Sequence, residues 1–311
     1  MKRFICSVFL AVVVFSSQSF AWNGTGHQIV ARIAWDNMTE TARQNVVKLL
    51  MQAPTNACLR DLFPTTGDVQ QRPREFFVRV ATWPDVVRPK DNHDTRPCIQ
   101  YHQRDWHFVD HFWKGISGDP NTPPTDLPKP IAAVNAVERL QFLRAASINP
   151  TLPEKNRAMD IAWLMHLVGD IHQPLHTSGR VTQFPTEQDG DGGGNDFKLG
   201  PDLSLHSYWD GIVDRADPKP AQESFPLYIE RVANEFEQAN PKSGFTQLLP
   251  NQFDKWALES LGNAKSAAYP QTLQRNQMPD ANYQGAAFRI AKLEIAEAGY
   301  RLADLLNCLF G

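Results

Sequence analysis

Residues 155–176 read KNRAMDIAWLMHLVGDIHQPLH, and this stretch decides the fold class. Its apolar side chains recur at helical spacing and flank the polar positions on both sides, which predicts a central, buried helix. His166 and Asp170 lie four residues apart, so they project from one face of that helix, one turn apart. Pro174 ends the helix and turns His176 back toward the same region. A buried imidazole and carboxylate need partners, and a metal ion supplies one.

Helical periodicity also dominates the rest of the chain. The segments with this period are 26–51, 130–147, 155–170, 222–240, 252–267 and 285–309. Loops rich in Pro and Gly separate them, at 84–105, 115–130 and 178–202. Strand-like alternation is scarce, and neither an internal repeat nor an interdomain linker stands out. We therefore predict one all-α domain whose long loops shape a site.

The N-terminus has the pattern of an export signal. Lys2 and Arg3 precede an apolar run over 4–15, and Ser19-Phe20-Ala21 gives the small-x-small pattern of a cleavage site. No later stretch approaches the ~20 apolar residues of a membrane anchor. The predicted boundaries are a signal peptide at 1–21 and a single domain at 22–311. We expect a mature protein that begins at Trp22 and is secreted or periplasmic.

The charge balance excludes nucleic-acid binding through a generally basic surface. The formal net charge is −3, and loss of Lys2 and Arg3 with the signal peptide takes it to −5. If the protein handles phosphodiesters, bound cations and a few placed Arg or Lys side chains must supply the positive charge.

Three cysteines remain after cleavage of the signal peptide. Export permits a disulfide, and Cys58 with Cys98 is the favoured pair because both flank loop-like sequence. Cys308 lies in an apolar helical context, which predicts a buried free thiol.

Further potential metal ligands occur on both sides of the central helix. His206 and Asp210 repeat the four-residue spacing of the first pair, whereas Asp85 and His107 lie beside aromatic residues in loop-rich sequence. Each of these residues has an ordinary structural explanation when taken alone, such as a capped turn or a core histidine.

The new N-terminus would add a chelating group. A free α-amine and the adjacent carbonyl oxygen of Trp22 can close a five-membered ring on a metal ion. His27 lies five residues further on, beyond two glycines, and can fold back to join it. New N-termini are commonly frayed, but a bulky Trp followed by a Gly-rich turn favours one that is held in place.

The number of donors predicts more than one ion. The ten potential groups are the amine and carbonyl of Trp22 with His27, Asp85, His107, His166, Asp170, His176, His206 and Asp210. About four ligands per zinc ion, with an open position for water, leave room for two or three ions. Clusters of this kind hydrolyse phosphodiesters: one ion generates hydroxide, and its neighbours hold the phosphate.

The order of these motifs is more specific than any one of them. They run Trp22 with His27, Trp-Pro-Asp85, Trp-His107-Phe, His166-x-x-x-Asp170, Gln-Pro-Leu-His176 and Leu-His206-x-x-x-Asp210. In this order and spacing, essentially the whole mature chain resembles the single-strand-specific zinc nucleases of the S1/P1 type. The resemblance implies a helical fold around a trinuclear zinc cluster.

The resemblance also implies which residues hold each of three Zn²⁺ ions. Asp85, His107, His166 and Asp170 would hold the first ion. His176, His206 and Asp210 would hold the second. Trp22, His27 and the other oxygen of Asp170 would hold the third, so that Asp170 bridges two ions.

The same resemblance implies the catalytic apparatus and the substrate. Asp110 would orient a zinc-activated water, Arg88 would steady the phosphate charge, and Phe108 would stack on a nucleobase. The expected reaction is endonucleolytic hydrolysis of single-stranded DNA and RNA to 5′-phosphate products, with 3′-nucleotides as further substrates. We expect a monomer without a membrane anchor.

Other polar residues receive lesser roles. The loop 189–196, DGDGGGND, lacks the spacing of a calcium-binding EF-hand and is interpreted as a flexible wall of the cleft. Asn195 and Asp196 in this loop are candidates for substrate contacts. His172 falls between two predicted ligands but faces elsewhere on the helix, so a structural role is expected. His93, His102 and His111 are assigned no metal.

Two other functions compete with the nuclease. Zinc-dependent phospholipases C share the fold and the N-terminal Trp, but they carry Glu at the position of Asp210. Asp210 and the segment Trp-Pro-Asp85-x-x-Arg88 favour the nuclease. A periplasmic zinc carrier is a hypothesis of another class, and the chain has no mobile His-rich tract of the kind that carriers use.

Overall fold

The computed structural model describes residues 22–115, 123–245 and 249–311, so the predicted signal peptide and residues 116–122 of one predicted loop lie outside it. The described chain is mostly helical, which confirms the predicted fold class. Its α-helices are α1 Gly24–Asn37, α2 Glu40–Leu50, α3 Arg72–Val80, α4 Trp83–Val86, α5 Ala136–Ile148, α6 Glu154–Asp170, α7 Leu205–Asp210, α8 Ile212–Ala216, α9 Phe225–Ala239, α10 Phe253–Asn263 and α11 Ala281–Phe310. Its strands are β1 His111–Lys114, β2 Thr125–Asp126, β3 Ser178–Val181, β4 Lys198–Gly200 and β5 Leu203–Ser204.

The central helix is α6, as predicted from residues 155–170. Every residue from Ile161 to Asp170 is buried, because α5, α2 and α11 pack around it. Helix α1 packs along α11, and α9 and α3 cover other sides of α1. The two helices that carry the first predicted ligands, α1 and α6, therefore lie inside the fold.

Two predicted helices differ from those observed. The segment 26–51 forms two helices, because the side chain of Thr39 accepts a hydrogen bond from the N–H of Ala42 and starts α2 anew. The segment 130–147 becomes helical only after Asn135, which caps α5. Ile131 and Val134, expected on a buried helical face, are 41% and 45% exposed.

Short strands position the loops around the site. Strand β1 pairs in parallel with β3, with His111 opposite Ser178, and β2 extends this sheet on the other side of β1. The N–H of Val109 donates to the carbonyl oxygen of His176 at 2.8 Å. This pairing brings the chain on either side of Val109 against the end of the central helical segment.

The cysteines behave differently from one another. Cys58 and Cys98 form a disulfide, as predicted. The prediction for Cys308 was wrong, because this thiol is exposed. The C-terminal end of α11 buries Leu305 and Leu306 against the core, and Cys308 lies on the other side of the helix.

Across the described ranges, no helix combines the length and the apolar character needed to cross a membrane.

Candidate metal centre

His166 and Asp170 form the floor of the site. Both are fully buried on α6, and Nε2 of His166 lies 3.3 Å from Oδ1 of Asp170. Nδ1 of His166 donates to the carbonyl oxygen of Ala81 at 2.8 Å, which fixes the ring and leaves Nε2 unprotonated. The four-residue spacing thus produces the predicted geometry.

His27 reaches this floor from α1. Its ring stacks on the ring of His166 with a centroid distance of 3.8 Å, and its Nε2 lies 3.2 Å from Oδ1 of Asp170. Both ring nitrogens of His27 are buried and have no hydrogen-bond partner among the described residues. Such a pair of orphaned nitrogens in a fully buried side chain indicates a metal ligand.

Trp22 is held inside the molecule at the start of the described chain. Its side chain is fully buried. The N–H of the next residue, Asn23, donates to the carbonyl oxygen of Asp210 at 2.9 Å. A Cβ atom at Gly26 would lie 2.6 Å from Cβ of Trp22, so only glycine allows α1 to pack this closely. The structure therefore places Trp22 beside a chain segment that carries another predicted ligand.

Asp85 on the short helix α4 and His107 in the loop before β1 close the group over α6. Nδ1 of His107 lies 3.0 Å from Oδ2 of Asp170 and 3.1 Å from Nε2 of His166. Oδ1 of Asp85 lies 3.9 Å from Nε2 of His166, and its Oδ2 is buried without a hydrogen-bond partner in the described chain. The four residues expected around one ion are thus brought together.

His176, His206 and Asp210 form a second group. Nε2 of His206 lies 3.0 Å from Nε2 of His176 and 3.6 Å from Oδ1 of Asp210. The Nδ1 atoms of the two rings lie 2.6 Å from the carbonyl oxygen of His107 and 2.7 Å from that of Gly193, respectively. A carbonyl oxygen only accepts hydrogen bonds, so each Nδ1 carries the proton and each neutral ring presents an unprotonated Nε2.

This hydrogen-bond pattern calls for a cation. Two lone pairs face each other across 3.0 Å in a buried site, where a protonated imidazole would be costly. A divalent cation that prefers imidazole and carboxylate ligands removes the repulsion. Among the residues that the structure describes, three groups have ligand atoms within 4.8 Å of one another: His27–Asp85–His166, His107–His166–Asp170 and His176–His206–Asp210.

The protonation states of the residues around His166 and Asp170 also favour a bound cation. Burial lowers the pKa values of His27 and His107 well below the ordinary histidine value, and it lowers that of His166 to about 3. Burial raises the pKa of Asp85 to about 7, and burial with the nearby charge of Asp85 raises that of Asp170 well above its usual range. Neutral imidazoles gathered around buried carboxyl groups fit a metal-binding site.

The residues predicted to act on the substrate lie around these groups. Asp110 is mostly buried, and burial raises its pKa to about 6. The N–H of Arg88 donates to the carbonyl oxygen of Asp85 at 3.1 Å, and its guanidinium interacts electrostatically with Asp85, Asp210 and Asp170. Phe108 is partly buried, and its carbonyl oxygen accepts the N–H of Ala136 at the start of α5.

The Gly-rich loop contributes to the site in a way that the sequence did not reveal. It was interpreted as a flexible wall, but Gly193 and Gly194 are buried, and the Gly193 carbonyl orients His206. Nδ2 of Asn195 donates to the carbonyl oxygen of Gly192, whereas its Oδ1 is buried without a partner in the described chain. Asp196 is exposed, and its carbonyl oxygen accepts a hydrogen bond from Arg275.

Gln173 was also missed. Its Nε2 donates to Oδ1 of Asp210 at 2.7 Å, and its own Oε1 accepts the N–H of Leu175 at 2.6 Å. This amide orients a ligand from the outside, which is the usual support for a metal-binding carboxylate. The only sequence signal was its position between two predicted ligands.

His172 has the structural role that was expected. It is fully buried, with Nδ1 at 2.7 Å from the carbonyl oxygen of Val168 and Nε2 at 2.9 Å from Nη1 of Arg301. It therefore faces α11, away from the metal-ligand groups.

Comparison with known proteins identifies the family. The sequence profile of the S1/P1 nucleases matches residues 22–311. The chain belongs to the S1/P1 nuclease family. Endonuclease 3 of Arabidopsis thaliana is 24% identical over all of this chain and 96% of its own length, and Endonuclease 5 of the same plant is 23% identical over all of this chain and 97% of its own. Endonuclease 4 is 29% identical over 55% of this chain and 57% of its own length.

Membership in the S1/P1 nuclease family confirms the resemblance that the ordered motifs indicated. It identifies the chain as a nuclease, a hydrolase that acts on nucleic acid, and it favours this function over the phospholipase C and the zinc carrier. The buried His and Asp groups are consistent with a metal-dependent member.

Proposed function

We propose that this S1/P1 nuclease uses three zinc ions to hydrolyse single-stranded DNA and RNA to products with 5′-phosphates, and that it also accepts 3′-nucleotides. The observation that carries the proposal is the convergence of orphaned ligand atoms on one buried centre, with the facing Nε2 atoms of His176 and His206 at 3.0 Å. Zinc, when bound, lowers the pKa of a coordinated water and neutralises phosphate charge.

The chain's own side chains divide the remaining work. Asp110 accepts a hydrogen bond from the attacking water and so aligns it with the phosphorus. Arg88 stays protonated beside three carboxylates and donates to the non-bridging phosphate oxygens as charge develops on them. The oxygen of the attacking water bonds to phosphorus and loses a proton to solvent, while the bond from phosphorus to the 3′-oxygen breaks. The 3′-oxygen takes up a proton from solvent, and the phosphate stays on the 5′ side of the next nucleotide.

The surroundings of Phe108 support a single-stranded substrate. A pocket of about 280 Å³ is lined by Val109 and His111, which closely follow Phe108 in the sequence, and by the start of α5. A ring at Phe108 can stack on any unpaired base, since every base has an aromatic face. Asn195 supplies a buried amide oxygen without a partner in the described chain, and we propose that it and Asp196 contact the substrate.

One experiment tests this function directly. The mature protein is incubated with single-stranded DNA, RNA and phosphatidylcholine vesicles, with zinc or with a zinc chelator, and the product ends are determined. We expect cleavage of both nucleic acids to 5′-phosphate products, abolished by the chelator and restored by zinc. Asp110→Asn should retain zinc but lose at least ~100-fold in kcat. Chelator-sensitive lipid cleavage without cleavage of nucleic acid would overturn the proposal.

We also propose that the protein is exported and acts as a monomer. Cleavage of the signal peptide would expose the amine of Trp22, and we propose that this amine binds the third zinc ion. The full burial of Trp22 and the hydrogen bond from Asn23 to Asp210 support this role. A mature chain with one residue added before Trp22 should bind one zinc ion fewer, as measured by metal analysis after dialysis. Full zinc content in a chain with a verified extension would show that the amine is not a ligand.

A further inference from the structure

Asp191 is a buried carboxylate outside the predicted ligand groups, and the proposed mechanism does not use it. Its side chain is fully buried. Oδ2 accepts the hydroxyl of Tyr269 at 2.6 Å, Oδ1 accepts the N–H of Arg180 at 3.2 Å, and the N–H of Gly194 also donates to the carboxylate. Burial raises the pKa of Asp191 to about 6, and the hydrogen bonds from Tyr269 and Gly194 oppose this rise.

Tyr269 approaches this carboxylate from a rigid aromatic cluster. It follows the π-helical turn Ala264–Ala268 at the end of α10, and it is 8% exposed. Its ring packs edge-on against Trp113 at 5.5 Å and against Phe197 at 6.1 Å, while the guanidinium of Arg180 lies 4.8 Å from its centroid. The hydroxyl position is therefore fixed by packing rather than by solvent.

The carboxylate in turn holds a tight glycine turn. Gly192, Gly193 and Gly194 have φ values of +60°, +61° and +84°, which side-chain-bearing residues rarely adopt. A Cβ atom at Gly193 would lie 2.3 Å from the carbonyl oxygen of Leu175. The turn is thus pressed against the residue that precedes His176, and Asp191 accepts the N–H at the far end of the turn.

Two carbonyl oxygens of the turn contact His206, one of the candidate metal ligands. The Gly193 carbonyl oxygen lies 2.7 Å from Nδ1 of His206, and the Gly194 carbonyl accepts the backbone N–H of His206 at 3.4 Å. Because the first contact places the proton on Nδ1, it directs an unprotonated Nε2 toward His176 and Asp210. A carbonyl that moved by a fraction of an ångström would weaken this control of the ring.

We propose that Asp191 and Tyr269 are positioning residues for the metal site of His176, His206 and Asp210, acting through the Gly193 carbonyl. This inference rests on the metal centre of the proposed function. Tyr269 fixes Asp191, Asp191 fixes the glycine turn, and the turn fixes the tautomer and orientation of His206.

The test compares two variants with a matched control. Tyr269→Phe keeps the ring packing and removes only the hydroxyl donor, and Asp191→Asn removes the charge. Tyr300→Phe is the control, because this buried tyrosine also donates its hydroxyl in a hydrogen bond, to the carbonyl oxygen of Asn240 at 3.0 Å. Zinc affinity is measured for each protein by competition with a chromophoric chelator, and the melting temperature is measured without metal.

We expect the dissociation constant of one zinc ion to rise about 10- to 100-fold in Tyr269→Phe and Asp191→Asn, with no change in Tyr300→Phe. The ¹⁵N resonances of His206 in the zinc-loaded Tyr269→Phe protein should also shift from those of the wild type. If Tyr269→Phe binds zinc with wild-type affinity, the inference is wrong. This holds even if the melting temperature of the metal-free variant is lower than that of the wild type. If Asp191→Asn does not fold, Tyr269→Phe decides alone.

Failure of this inference is distinguishable from failure of the proposed function. The zinc measurements contain no substrate, so a protein without nuclease activity could still show the predicted loss of zinc affinity. Conversely, the wild-type protein could be a zinc-dependent nuclease while its Tyr269→Phe variant binds zinc normally. The proposed function would then hold, and the positioning role would be refuted.

Discussion

At position 169 only glycine fits, because the imidazole of His27 occupies the space that a side chain would need. A Cβ atom at this position would lie 2.7 Å from Nδ1 of His27 and 2.9 Å from its Cε1. The glycine comes one residue before Asp170 on the buried face of α6, so the imidazole can stack on His166 with nothing between the two helices. A helix-weakening residue thus stands where α1 and α6, two helices that carry candidate ligands, come into close contact.

Replacing Gly169 by Ala tests this close approach. The added methyl group should displace His27, and we expect one zinc ion to bind at least ~10-fold more weakly because a ligand moves. Zinc bound per chain after dialysis against a zinc-buffered solution is the measurement.

The same substitution at Gly262 is the control. This glycine lies in α10, and a Cβ atom added to it would meet no atom of the described chain within 4 Å beyond its own helix backbone and its chain neighbours. We expect Gly262→Ala to keep full zinc content and to gain about 0.4–1 kcal/mol in the free energy of unfolding. Full zinc content in Gly169→Ala would contradict the steric argument.

Helix α11 shows how one element combines a polar network with core packing. Glu294 is buried and accepts a hydrogen bond from Asn263, while Arg301 on the same helix pairs with Glu297 and Glu259. Burial raises the pKa of Glu294 to about 8, the charge of Glu297 adds to the rise, and the Asn263 donor and Arg301 oppose it. This part of α11 is therefore more stable with the carboxyl protonated.

The pH dependence of unfolding should report this carboxyl. Between its ordinary pKa of 4.5 and about 8, the folded chain holds a proton that the unfolded chain has lost, so stability falls as the pH rises. The slope is on the order of 1 kcal/mol per pH unit. Glu294→Gln stays neutral and keeps the acceptor for Asn263, so its stability relative to wild type should rise from pH 5 to pH 8.5 in urea denaturation of the metal-free protein.

A surface carboxyl provides the comparison. Glu40→Gln, whose side chain is 69% exposed on α2, should show no such trend. If the difference between Glu294→Gln and wild type stayed constant across this pH range, Glu294 would not be protonated in the folded protein.

The whole molecule gathers its candidate metal ligands from distant parts of the chain. His27 comes from α1, Asp85 from α4, His166 and Asp170 from α6, and His206 and Asp210 from α7. The Cys58–Cys98 disulfide spans 40 residues and encloses α3 and α4, including Asp85. A covalent link therefore closes a segment of short helices that carries the candidate ligand Asp85.

Removal of this disulfide should lower the stability of the whole molecule. For a loop of this length, the chain-entropy model gives a loss of about 4 kcal/mol in the free energy of unfolding. The double variant Cys58→Ala/Cys98→Ala and wild type are compared by urea denaturation without metal. Cys308→Ala removes an exposed free thiol and should match wild type. Equal stability of all three proteins would contradict the prediction.

Much of the site was predictable because helical spacing converts sequence distance directly into direction. The pairs His166 with Asp170 and His206 with Asp210 needed only a four-residue interval, and the structure places each pair as expected. The start of α5 could not be placed this way, since apolar residues before Asn135 fitted a helical period but lie exposed in a loop. The Cys308 prediction was wrong for a related reason: periodicity identifies a helix but leaves the orientation of its last turn undetermined.

The sequence by itself determined the helical class, the family resemblance and which His and Asp residues can bind metal, because these depend on residue type and local spacing. Only the tertiary structure decided how those residues are oriented: the Gly193 carbonyl and Gln173 act on His206 and Asp210 across 13 and 37 residues of chain. Such contacts depend on backbone carbonyls and amide side chains, which leave no periodic signal. The central helix that begins at Glu154 was therefore evident from its sequence. The groups that orient His206 and Asp210 were not.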